Sequence, residues 1–122
     1  MQSNWKDAAA RYAQRRSHDP EKLALFETME KLCLWIASEE YSNFLFWETS
    51  MHDLSIFQIQ LKYEDRLLAQ NLRVSPIFEQ NKIEFRFIDT HDRDRQWVRT
   101  EPANIEAVKQ RLAGFLKQVG WC

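Results

Sequence analysis

Ile105, Val108, Leu112, Phe115, Leu116 and Val119 recur at three- and four-residue steps near the end of the chain. That spacing places them on one face of a helix, with Glu106, Lys109, Gln110, Lys117 and Gln118 mostly on the other. Pro102 suits the first turn of such a helix, where a missing N–H costs nothing, and Gly120 suits the position just past its end. The pattern predicts a helix over residues 101–120. An amphipathic helix of this kind needs an apolar surface to lie on.

Two more helical patterns open the chain. Trp5, Ala8, Ala9, Tyr12 and Ala13 make one face of a helix over residues 4–16. Ser17-His18-Asp19-Pro20 breaks it, and Asp19 and Pro20 then read as N-cap and first residue of a second helix running to about Glu39. Leu23, Phe26, Met29, Leu32, Cys33 and Ile36 form its apolar stripe, widened by Leu25, Leu34 and Trp35. A stripe this wide belongs to a helix gripped from two sides, or to one that reaches a partner.

The period then changes from helical to alternating. Asn43 to Glu48 is short, aromatic and bounded by polar residues, which reads as a strand. Ser50 to Asp53 reads as a turn. Phe57, Ile59, Leu61 and Tyr63 alternate with Gln58, Gln60 and Lys62, as in a strand with one wet face. Residues 64–73 fit either helix or strand, and short meander connections favour strand from Leu67 to Phe78. Pro76 would place that strand at an edge or a bulge. After a turn at Gln80-Asn81-Lys82, a strand runs from Ile83 to Asp89, a polar loop from Thr90 to Asp94, and a last strand from Gln96 to Arg99. Helices flanking a run of strands indicate a single α+β domain over residues 1–122. It has a helical part (1–40), an antiparallel meander of about five strands (43–99) and the closing helix, which packs on the sheet.

Composition narrows the functions. Both glycines lie in or at the end of the last helix, so no Gly-rich phosphate loop or dinucleotide fingerprint exists. A net charge of −1 gives no field for a polyanion. The start of the chain has no signal-like apolar run, no stretch is long enough to span a membrane, and the two cysteines have no pairing or metal spacing. These features point to the cytoplasm. Charge is uneven: residues 1–18 carry a net +3 and residues 19–53 a net −6. The basic first helix could lie on the acidic second helix in the same chain, the simpler account, or in a second copy, which would build a homodimer.

Candidate chemistry is sparse. Each histidine precedes an aspartate: His18-Asp19, His52-Asp53 and His91-Asp92. Asp89, His91 and Asp92 crowd one loop with oxygen and nitrogen donors of the kind a metal takes. Each pair lies at a predicted helix start or loop, where a role in turns and caps suffices to explain it, so no metal and no cofactor is expected. No serine has the Gly-flanked setting of a nucleophile, and Cys33 sits mid-helix. Arg86, Arg93, Arg95 and Arg99 interleave with Phe85, Phe87 and Trp97, as on sheets that stack single-stranded nucleic acid, but Glu84, Asp89, Asp92 and Asp94 cancel their charge.

Five Trp and eight Phe exceed what a core of this size needs, and Trp, Tyr, Phe and Arg anchor interfaces. The expected function is therefore a non-catalytic protein-interaction module, such as a small bacterial or phage-type adaptor, inhibitor or immunity protein. Its expected contacts are Trp47, Tyr63, Trp97, Arg95 and Arg99. The alternatives are a ligand-binding or hydrolytic domain using His52, His91 and nearby carboxylates, and single-stranded nucleic-acid binding on the sheet.

Overall fold

The computed structural model describes residues 3–18, 22–58, 70–89 and 92–121. Helix α1 (Trp5–His18) packs along α2 (Leu23–Ser38). Trp5, Ala8, Ala9 and Tyr12 are buried on α1, and the two alanines keep the contact close. On α2 the buried set is Leu25, Phe26, Met29, Leu32, Cys33 and Ile36, as the spacing predicts, with Thr28 among them. The wide stripe has a local cause, because α2 touches α1 on one side and the last helix and the sheet on others. Leu34 stays outside. The basic first helix thus packs within its own chain.

A 3₁₀ turn (Glu40–Asn43) links α2 to the sheet, its end held where the Tyr41 carbonyl accepts from the N–H groups of Phe44 and Leu45. The five strands are β1 (Phe46–Ser50), β2 (Asp53–Phe57), β3 (Asn71–Ile77), β4 (Lys82–Ile88) and β5 (Trp97–Pro102). Their spatial order is their chain order and every pair is antiparallel. Register puts Trp47, Ile56, Leu72 and Phe87 in one row and Leu54, Val74 and Phe85 in the next. These residues share one face and are buried with the helices. The reverse face carries Arg73, Glu84, Arg86, Val98 and Thr100, exposed or half-buried.

The last helix, α3 (Ile105–Gln118), buries Val108, Leu112, Phe115 and Leu116. Its first turn is capped by Asn104, whose Oδ1 accepts from the N–H groups of Glu106 and Ala107 at 2.9 and 3.3 Å. Gly120 at φ +74° ends it. The Gly120 N–H donates to the Lys117 carbonyl and the Trp121 N–H to the Leu116 carbonyl, a Schellman closure. That closure folds Trp121 back against Phe115, 5.3 Å between ring centroids.

The structure departs from the sequence expectations in six places. Helix α1 runs two residues past 16. The first strand begins at Phe46, because the 3₁₀ turn occupies Asn43. The second strand ends at Phe57 where it was expected to begin, since Leu54 and Ile56 pair with Val74 and Leu72. Ser50 and Asp53 are directly paired, so the turn is only Met51-His52, with Met51 at φ +55°. Pro102 closes β5 and does not open α3; an edge strand tolerates proline. Pro76 lies in β3, which is neither an edge nor bulged, but at a position where β3 extends beyond its pairing with β2. The Asp19 cap, the alternation from Ile59 to Tyr63 and the ambiguous segment before residue 70 lie outside the described residues.

Candidate functional site

Strand β5 ends the sheet, and Asp89 fixes how the chain enters it. This carboxylate is 0 % exposed. Its Oδ2 accepts from Gln70 Nε2 at 2.9 Å and its Oδ1 from the Asp92 N–H at 3.0 Å. The Asp89 N–H donates to Gln96 Oε1 at 3.1 Å, and Arg95 Nη1 lies 3.7 Å from Oδ2. Asp92 in turn accepts from the Asp94 N–H and starts a single 3₁₀ turn, Arg93–Arg95. These bonds hold Arg95 and Trp97 in fixed relation to the end of β4.

Phe87, Trp97, Phe115 and Trp121 pack into one aromatic cluster, with neighbouring centroids 5.1 to 6.4 Å apart. Trp97 is its half-buried outer member. The Arg95 guanidinium lies 5.9 Å from the Phe87 ring centre, and Arg99 lies 5.5 Å from that of Trp97. Both distances are in the range of cation–π attraction. Arg99 Nη1 donates to the Val98 carbonyl at 2.8 Å, and among the described residues no carboxylate pairs with it. Farther along β5, Glu101 Oε1 accepts from Arg111 at 2.7 and 2.8 Å.

Between β5 and α3 runs an open seam. One groove of about 540 Å³ is bounded by Asp94, Arg95, Trp97, Arg99, Gln118 and Val119. Smaller grooves of about 150 and 210 Å³ continue past Arg111 and Gly114. The sequence pattern singles out Trp97, Arg95 and Arg99, and the structure brings these three together. It misses Arg111, Gly114 and Gln118, which α3 contributes. The available signal was Gly114, a helix-weakening residue in mid-helix with no turn to make.

The other candidates are scattered. Trp47 is 1 % exposed, its indole N–H donating to the Asn4 carbonyl. It belongs to the core and offers nothing to a partner. Tyr63 and His91 lie outside the described residues, so no convergence with His91 bears on His52. The His52 ring packs edge-on between Phe26 and Phe78, 5.3 Å from each, and its carbonyl accepts from the Tyr12 hydroxyl. Among the described residues no three His, Cys, Asp or Glu side chains group as metal ligands. Asp89 and Asp92 instead accept the loop's own N–H groups. Cys33 is fully buried, and burial, with Glu30 adding, pushes its thiol pKa far up, the opposite of a nucleophile. Phe85 and Phe87 face the helices, 0 % and 1 % exposed, so no base can stack on them without opening the core. Among the described residues no helix is long and apolar enough to cross a membrane.

No family model matches the chain, and no curated protein or solved structure matches it.

Proposed function

We propose that this chain is a non-catalytic protein-interaction module whose contact surface is the β5–α3 seam. The observation that carries the reading is the pairing of Arg99 with Trp97 on a strand whose outer side, among the described residues, has no neighbouring strand. A half-buried Trp beside an arginine with no carboxylate partner among the described residues is a combination that suits a protein interface. Gly114 adds support. A Cβ there would meet nothing within 4 Å, so the fold gives no reason for a glycine, and the bare helix surface leaves room for a neighbour. A partner segment lying along β5 would gain main-chain hydrogen bonds from the strand edge, and would direct a carboxylate to Arg99 and an apolar group to the groove over Trp97.

A cytoplasmic setting goes with this reading and is supported by Cys33, a free thiol enclosed in the core. The test is affinity capture from host lysate with the native chain and with a Trp97→Ala/Arg99→Ala variant. Loss of captured proteins from a variant that melts as the native chain does supports the seam. An unchanged set of captured proteins removes it.

A further inference from the structure

We propose that the seam takes a second copy of this chain, joined by antiparallel pairing of β5 with β5 about a two-fold axis at Thr100. The inference rests on the reading of this edge as a protein-binding surface and names one occupant of it. Among the described residues, strand β5 has β4 on one side and no strand on the other. Val98, Arg99, Thr100 and Pro102 are exposed, Val98 at 42 %.

The order Arg99-Thr100-Glu101 is complementary to itself when reversed. Centred on Thr100, the pairing sets Arg99 opposite Glu101 of the second copy, and Glu101 opposite its Arg99. Opposite charges directly across an antiparallel pair are favourable, and like charges are not. Shifting the centre to Arg99 sets arginine against arginine. Shifting it to Glu101 sets glutamate against glutamate. Of these three centres, charge favours Thr100 alone.

Chemistry within the chain leaves both groups ready. Arg99 has no carboxylate partner among the described residues. Glu101 is held from its own side by Arg111, which contacts Oε1 through two nitrogens and leaves Oε2 for Arg99 of the second copy. Arg99 and Glu101 pair with Phe85 and Ile83, the inward residues of β4, so both stand on the helix side of the sheet. The groove over Glu101, Ala107, Gln110, Arg111 and Gly114 opens beside them and gives the second copy's last helix room. Edge strands often use charge and proline to prevent pairing. Here the charges repel when the axis falls on Arg99 or Glu101 and attract when it falls on Thr100. The arrangement is isologous, so it closes at two copies.

Light scattering of the native chain is expected to give twice the 14.7 kDa of one chain. Arg99→Glu and Glu101→Arg are each expected to give the single mass. Their equimolar mixture is expected to regain the doubled mass, because mixing restores both opposite-charge pairs. In a Cys122→Ser background, Thr100→Cys is expected to cross-link to a dimer on mild oxidation and Val98→Cys is not, a readout that does not depend on how the charge variants fold. A single mass for the native chain at every concentration overturns the proposal, as does a doubled mass that survives both charge reversals. In either event, proteins lost on Trp97→Ala/Arg99→Ala capture would still support the seam as a docking surface, so the two failures are distinct.

Discussion

The indole nitrogen of Trp5 donates to the carbonyl oxygen of Leu45 at 3.0 Å. A reciprocal bond runs from Trp47 to the Asn4 carbonyl at 2.9 Å, and the two rings lie 6.4 Å apart. The start of α1 and the start of β1 are thereby clasped in both directions. Replacing either tryptophan by alanine removes a large buried ring and strands a carbonyl. Trp5→Ala or Trp47→Ala should cost about 3–5 kcal/mol, read as a lower urea midpoint. Phe substitutions, which keep most of the volume, should recover the larger part.

Asp89 should matter through the site it shapes. Asp89→Ala leaves the Gln70 amide and the Asp92 N–H without their acceptor, at a cost of about 1–3 kcal/mol. Asp89→Asn keeps one carbonyl oxygen and should lose less. Trp97 fluorescence should shift toward that of a wetter indole in the alanine variant, and partner capture should fall with it.

Alkaline pH should weaken the fold. Burial raises the Tyr12 hydroxyl pKa far above its usual 10.0, with Cys33 and Asp53 adding and Arg15 opposing. Cys33 is raised from 9.0 in the same way. The folded chain keeps these protons where the unfolded chain releases them, so stability is full below pH 9 and falls as pH climbs beyond it. Urea midpoints between pH 7 and 11 should show that slope. A Tyr12→Phe/Cys33→Ala double variant should flatten it, although Tyr12→Phe alone loses about 1 kcal/mol at neutral pH with its bond to the His52 carbonyl.

Gly114→Ala should stabilise the chain by about 1 kcal/mol, the ordinary gain for glycine to alanine in a helix interior. The added methyl meets no atom within 4 Å. It also narrows the grooves that Gly114 lines, so binding through the seam should weaken while the melting temperature rises. A variant that gains neither stability nor loses binding would argue against this account of the residue.

The helices were legible because their apolar spacing coincides with what they bury. Val108, Leu112, Phe115 and Leu116 are read from α3 as they are found. Its start was not legible, because the fixed φ of Pro102 suits an extended strand as well as a first helical turn, and Asn104 two residues on holds the cap. The meander was legible in outline, while the limits of β1 and β2 shifted with a 3₁₀ turn that has no strong residue signature. Trp47 and Trp97 show what local pattern cannot reach. Each lies in an outer strand among aromatic or charged neighbours. Helix α1 covers the first, and α3 leaves part of the second bare. That difference depends on where distant helices come to rest. Arg111 and Gln118 were hidden for the same reason, since a polar helix position does not disclose what stands opposite; Gly114 alone gave a sign, as a glycine in mid-helix.

Because the sheet is a meander, each strand finds its partner in the strand next to it along the chain. Short loops cost little entropy to close, so the connections between β3, β4 and β5 oppose their pairing only slightly. The tryptophan clasp is different, bridging 40 and 43 residues of sequence. A tether of that span carries a larger closure cost, so loosening it is expected to speed unfolding more than it slows folding.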